Sequence, residues 1–228
     1  MNGEPQTTLT QRLQPDDSPA RPVLLEALLQ EMGKVVIGRE REIKLLLAAL
    51  LTPGHVLIED LPGTGKTTMI KAFAKVLDCR FARIQCMPDL LPSDVTGVSV
   101  FNPKTGEFSL RKGPVFTHLL LVDEINRALP RTQSCLLECM EEQQVSIDGE
   151  THPLPSPFMV LATQNPVEME GTFPLPEAQL DRFLMIVRPG YPSPEEERLM
   201  LEKVGDRIPF DELGRLLEPA HIMALREK

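Results

Sequence analysis

His55-Val56-Leu57-Ile58-Glu59-Asp60-Leu61-Pro62-Gly63-Thr64-Gly65-Lys66-Thr67-Thr68 reads as a strand, a loop and a helix in immediate succession. Val56 to Ile58 is a β-prone apolar run, Pro62, Gly63 and Gly65 make a tight loop, and good helix formers continue from Met69 to Leu77. Glycines at 63 and 65 let the backbone turn so that successive N–H groups face inward, and the helix adds the positive end of its dipole. Such a loop binds phosphate. On a triphosphate the Lys66 ammonium would reach the β- and γ-phosphates, and the Thr67 hydroxyl would take one position on Mg²⁺. The consensus G-x-x-x-x-G-K-[ST] asks for glycine where this chain has Asp60. The remainder, Pro62-Gly63-Thr64-Gly65-Lys66-Thr67-Thr68, keeps the strand-to-helix context. The competing reading is an ordinary glycine turn before a helix.

Working outward toward the N-terminus, Arg39 to Leu51 carries Ile43, Leu46, Leu47 and Leu50 at helical spacing and ends at Thr52-Pro53-Gly54. Before it stand a β-prone pair, Val35-Val36, and Ile37-Gly38. Pro22 to Met32 predicts a further helix stopped by Gly33. Residues 1–21 are polar and proline-containing and read as a disordered tail.

Toward the C-terminus, Arg80 to Gln85 predicts a second strand. Val98 to Phe101 and Glu107 to Leu110 flank the turn signal Asn102-Pro103-Lys104-Thr105-Gly106 and predict an inserted hairpin. Leu119-Leu120-Leu121-Val122 is the continuous apolar run of a strand buried on both faces, and it ends in Asp123-Glu124. Pro130 to Glu142 is helical, and Gln144 to Leu154 folds back around Asp148-Gly149 as a second hairpin. Phe158 to Thr163 and Phe183 to Val187 complete the strands. Ser193-Pro194-Glu195-Glu196-Glu197 is a helix start with a capping box. Alternating strands and helices behind a phosphate loop predict an α/β fold of the P-loop NTPase type: a mostly parallel five-stranded sheet flanked by helices, with two inserted β-hairpins.

The 228 residues, 42% of them hydrophobic, suffice for one large domain or one domain and part of another. No run of about 18 apolar residues and no secretory start is present, so a cytoplasmic protein is expected. The net charge of −9 speaks against non-specific binding to nucleic acid or anionic membrane. Cys79, Cys86, Cys135 and Cys139 make no C-x-x-C pair and read as free thiols; His55, His118, His152 and His221 are too scattered to suggest a ligand set.

In an open α/β sheet, ligands sit at the carboxyl ends of the strands. The loops after the first, third and fourth sheet strands therefore converge, bringing together Lys66, Asp123-Glu124 and Asn165. Phosphoryl transfer to water requires positioning and charge neutralisation. Asp123 is suited to hold Mg²⁺ and Glu124 to orient and deprotonate the attacking water. The amide of Asn165 could donate to the γ-phosphate and place that water. An acidic pair at a strand end is also what a helix cap or solvated turn looks like, and Asn165-Pro166 is also a common turn starter.

Several further segments carry a resemblance. Asp89-Leu90-Leu91-Pro92-Ser93-Asp94-Val95-Thr96-Gly97, Asp123-Glu124-Ile125-Asn126-Arg127, Ile147-Asp148-Gly149-Glu150, Ala162-Thr163-Gln164-Asn165-Pro166 and Leu175-Pro176-Glu177-Ala178-Gln179-Leu180-Asp181-Arg182-Phe183 occur in the order of the motifs of the MoxR family of AAA+ ATPases. From about Val35 to Tyr191 the chain resembles that family, which also tolerates Asp at the position of Asp60. The resemblance implies that Lys66 and Thr67 belong to Walker A, that Asp123 and Glu124 belong to Walker B, and that Asn165 is sensor 1. It implies that Arg182 is an arginine finger presented to a neighbouring subunit; the alternative is a surface salt bridge to Asp181 or a nearby acid. Val36, Ile37 and Gly38 resemble the adenine-contacting segment, with Arg39 where Gln is usual. The two hairpins resemble inserts that face the pore of a ring and handle substrate. Residues 22–191 would form the ATPase core, and 192–228 the beginning of an α-helical lid, incomplete by comparison with the family.

By this resemblance the chain would bind ATP and Mg²⁺, hydrolyse ATP, form a ring, hexameric by the family pattern, and remodel or activate a client protein. Client partners carrying a von Willebrand factor A domain are implied by resemblance alone. Two rivals stay open: a nucleotide-dependent assembly module with little hydrolysis, and a DNA-remodelling ATPase, for which Lys104, Arg111 and Lys112 near the first hairpin are the motive.

Overall fold

The computed structural model describes residues 21–59, 64–165, 171–191, 193–204 and 210–227. The expected N-terminal tail up to residue 20 lies outside the described residues, as do Asp60, Leu61, Pro62, Gly63 and Pro166. In chain order the elements are α1 (Arg21–Met32), α2 (Glu40–Leu51), β1 (Val56–Glu59), α3 (Lys66–Val76), β2 (Phe81–Gln85), α4 (Pro92–Thr96), β3 (Gly97–Asn102), β4 (Glu107–Lys112) and β5 (Leu119–Asp123). Then follow α5 (Pro130–Glu142), β6 (Gln144–Ile147), β7 (Glu150–Pro153), β8 (Met159–Gln164), α6 (Glu177–Leu180), β9 (Met185–Val187), α7 (Pro194–Val204) and α8 (Pro219–Arg226).

Five strands form one sheet in the order β2-β5-β8-β1-β9, and every pair is parallel. Side-chain alternation divides the strands between two apolar layers. Val56, Ile58, Leu119, Leu121, Met159 and Leu161 meet α1, α2 and α3 on one face, while Leu57, Leu120, Val122, Val160 and Ala162 meet α5 on the other. Leu119 to Val122 are all fully buried, as an unbroken apolar run in a doubly covered strand must be. Each such side chain contributes about 1.5–3 kcal/mol by leaving water. Leu213, Leu217, Ile222 and Leu225, in and before α8, are buried in the same layer as α1 to α3.

The β-prone pair Val35-Val36 closes α1: both N–H groups donate to the Met32 carbonyl, at 3.0 and 2.8 Å. Their apolar character serves burial in the helical layer. The two antiparallel hairpins, β3-β4 and β6-β7, lie outside the main sheet. Asp148 and Gly149 both have positive φ, 52° and 84°, which the tight turn between β6 and β7 requires. The short helix α4 was not expected; Pro92 begins it, and the Leu91 N–H donates to Asp94 Oδ2 at 2.9 Å.

Candidate functional site

The carboxyl edge of the sheet opens onto a cleft with about 660 Å³ of empty space. Residues 64–68 enter it from the loop and α3, Arg83 and Gln85 from β2, Asp123 and Glu124 from β5, and residues 163–165 from β8. Lys66, Thr67, Asp123, Glu124 and Asn165, distant in sequence, thus face one space. Gly65 supplies the left-handed turn, φ 80°, from which α3 departs. The N-cap of α3 is Gly65, which has no side chain to cap it, and the first turn of α3 holds no acidic residue. The positive end of the helix dipole is directed at the cleft. A glycine-capped helix start, an ammonium, the hydroxyls of Thr67 and Thr68, and a buried carboxylate form a set that fits a Mg²⁺-bound triphosphate. Thr64 and Gly65 line this cleft too; Pro62 and Gly63 lie outside the described residues.

Thr163 holds the acidic pair in order. Its hydroxyl donates to Asp123 Oδ1 at 3.2 Å and accepts the Glu124 N–H at 2.9 Å. Glu124 sits in the left-handed region, φ 55° and ψ 51°, a conformation that costs a non-glycine residue about 1–2 kcal/mol. The backbone thereby turns sharply after β5 and splits two adjacent carboxylates between different partners. Asp123 is buried against Thr163 and Arg83, while Glu124 is partly exposed and pairs with Arg127 at 3.2 Å. Sequence reasoning missed Thr163. Its signal was a hydroxyl at the end of an otherwise apolar strand, two residues before Asn165.

Arg83 and Gln85 were also missed. They occupy alternate positions at the end of β2 and so share one sheet face; Gln85 is in register with Asp123. Arg83 Nε donates to Asp123 Oδ2 at 2.6 Å, and its Nη2 donates to Gln85 Oε1 at 2.8 Å. A third group lies at the end of β1. Glu59 accepts from Gln164 Nε2 at 2.7 Å and from Arg188 Nε at 2.6 Å, tying the ends of β1, β8 and β9 beside Asn165.

Arg182 does not line the cleft. It follows α6 and extends over α5, where it pairs with Glu141 and donates to the Leu137 carbonyl at 3.3 Å. Val36, Ile37 and Gly38 are likewise not among the cleft residues. Gly38, at φ 70°, lies against the Glu196 side chain, so a Cβ there would collide with it. Arg39, not Val36 to Gly38, lines a small recess with Gly65, Lys66 and Pro189. Its buried guanidinium donates to the carbonyls of Pro189 and Gly190, each at 3.1 Å.

Burial raises two of the thiols. The Cys86 thiol is pushed up to about 12 by burial and then by the charges of Asp123 and Glu124; Cys79 is also pushed up to about 12, mainly by burial. Cys135 is lowered by its hydrogen bond with Cys139, whose own value is raised. Among the described residues no group of three or more His, Cys, Asp or Glu forms a metal cluster. Also among the described residues, no helix is long and apolar enough to cross a membrane.

Residues 55–185 match the ATPase family associated with various cellular activities (AAA). The chain is 58% identical over 205 residues to the uncharacterized protein YeaC of Bacillus subtilis, covering 90% of this chain and 64% of that protein. It is 45% identical over 203 residues to Chaperone MoxR1 of Mycobacterium tuberculosis, covering 89% of this chain and 53% of that protein. Protein MoxR of Methylorubrum extorquens is 34% identical over 194 residues, covering 83% of this chain and 55% of that protein. A crystal structure of a candidate ATPase from Cytophaga hutchinsonii superposes with a TM-score of 0.83 at 43% identity, covering 90% of this chain and 62% of that one. This chain therefore spans between about half and two-thirds of the length of these four proteins. A cleft built on a phosphate loop at the edge of a β2-β5-β8-β1-β9 sheet, together with these matches, shows that the chain belongs to the MoxR family of AAA+ ATPases.

Proposed function

We propose that this chain is the nucleotide-hydrolysing part of a ring-forming MoxR-type ATPase, converting ATP and water to ADP and phosphate and using the cycle to remodel or activate a client protein. The observation that carries the reading is the convergence of Lys66, Asp123, Glu124 and Asn165 on one cleft at the start of α3. Lys66 binds the β- and γ-phosphates, and Thr67 and Asp123 hold Mg²⁺. When bound, Mg²⁺ supplies charge neutralisation on the phosphate oxygens. Asn165 donates to the γ-phosphate and orients water. Glu124 releases Arg127 and accepts the proton of the attacking water, whose oxygen bonds to the γ-phosphorus as the bond from that phosphorus to the β–γ bridging oxygen breaks and ADP leaves.

Arg182 acts on the nucleotide of an adjacent subunit in a hexameric ring, and leaves Glu141 to do so. Residues 22–191 serve as the ATPase core and 192–228 as the opening of the lid, with Val36, Ile37 and Gly38 on the adenine side. A soluble cytoplasmic setting and a client with a von Willebrand factor A domain complete the proposal. The name of one relative, Chaperone MoxR1, supports a client-directed role.

The test is a pair of substitutions. Lys66→Ala is expected to lose binding of a fluorescent ATP analogue, and Glu124→Gln to bind it while hydrolysis falls at least about a hundredfold, the lower range for removing a general base. Turnover by Glu124→Gln at the parent rate would overturn the assignment.

A further inference from the structure

We propose that Arg83 is a positioning residue that occupies the cation's place on Asp123 in the nucleotide-free chain and gives it up when Mg²⁺ arrives with a triphosphate; this rests on the nucleotide-binding reading above. Asp123 divides its carboxylate: Oδ1 accepts the Thr163 hydroxyl and Oδ2 accepts Arg83 Nε at 2.6 Å. One oxygen of this cleft-lining carboxylate is thus neutralised by a side chain of the protein. Arg83 is held there by more than charge. Strand alternation puts it on the same sheet face as Gln85 and Asp123, and Gln85 Oε1 accepts its Nη2 at 2.8 Å. Yet nearly half of the Arg83 side chain is exposed, against 9% of the Asp123 side chain. The carboxylate is enclosed, while the cation beside it is open to solvent.

The charges lining the cleft explain why exchange would depend on nucleotide. Among the described lining residues Lys66 and Arg83 stand against Asp123 and Glu124, and Glu124 is paired with Arg127. A divalent cation entering alone must displace the Arg83 guanidinium from Asp123 and brings no anion to receive it. A Mg²⁺-bound triphosphate brings net negative charge, so Arg83 can leave Asp123 for a phosphate oxygen in the same cleft. Metal and nucleotide therefore enter together.

The experiment measures Mn²⁺ binding to nucleotide-free protein by the electron paramagnetic resonance signal of free Mn²⁺. Arg83→Gln is expected to bind Mn²⁺ about tenfold more tightly than the parent, or more, the scale on which one adjacent cation alters a carboxylate's affinity for a proton. Arg83→Lys, which keeps the charge but not the paired geometry, is expected between the two. Adding Asp123→Asn to Arg83→Gln should remove the gain. Equal Mn²⁺ affinity in the parent and Arg83→Gln would overturn the inference; should that variant not fold, equal affinity in the parent and Arg83→Lys does the same. Binding of the fluorescent ATP analogue by the parent is measured in parallel. Its absence would overturn the nucleotide reading, whereas binding without any Mn²⁺ effect overturns only the role of Arg83.

Discussion

At the scale of single residues, the chemistry of the cleft depends on Thr163 as much as on the acidic pair it separates. One hydroxyl accepts the Glu124 N–H and donates to Asp123, so it fixes both the left-handed turn and the orientation of a buried carboxylate. Thr163→Val keeps the shape and removes both bonds. It is expected to cost about 1–3 kcal/mol of stability and to lower ATP turnover about tenfold or more, while Thr163→Ser keeps most of both. Chemical denaturation and steady-state turnover check the two effects. In the sequence, Lys66, Asp123, Glu124 and Asn165 were legible because motif and strand-end position coincide. Thr163, Arg83 and Gln85 were not, because their roles come from hydrogen bonds across strands that are far apart in the chain.

At the scale of elements, His55 joins three of them. Lying just before β1, it accepts the Val160 N–H of β8 on Nδ1 at 2.9 Å, so the proton is on Nε2, which donates to the Met140 carbonyl of α5 at 3.0 Å. Protonation would break the first bond, and burial lowers the imidazole below its ordinary 6.5. The sign follows from linkage. Above pH 6.5 the ring is neutral both folded and unfolded and its contribution is complete; as pH falls below 6.5 the unfolded chain takes up the proton first and stability declines. Urea midpoints between pH 8 and pH 5 should fall for the parent and fall less for His55→Gln. His55→Ala orphans the Val160 N–H and the Met140 carbonyl and should cost on the order of 3 kcal/mol. The helix start at α7 shows the opposite case, where local sequence sufficed. Ser193 Oγ accepts the Glu196 N–H at 3.2 Å and Glu196 Oε2 accepts the Ser193 N–H at 2.7 Å, the reciprocal pair expected from Ser-x-x-Glu.

At the scale of the whole molecule, Arg182 stands apart from the cleft and against Glu141, which sets a test of assembly. Arg182→Ala is expected to retain binding of the ATP analogue while turnover of the assembled protein falls by about 10³ to 10⁵. Mixing it with Lys66→Ala should restore part of the turnover, because intact fingers on one subunit then meet intact phosphate loops on the next. Turnover that stays at the level of the separate variants would place both residues in the same subunit's reaction. The sequence by itself determined the strand β1 and the helix α3 that follows its glycine-containing loop, the unbroken apolar run of β5, both hairpins and the cap of α7. Each is encoded by neighbouring residues, through periodicity, turn chemistry or capping. Tertiary structure alone decided that Val35-Val36 closes a helix, that Arg83 neutralises Asp123, that Glu59 ties Gln164 to Arg188, and that Arg182 rests on α5. Those partners lie on different elements, and parallel-sheet register and helix packing, which no local stretch specifies, bring them within hydrogen-bonding distance.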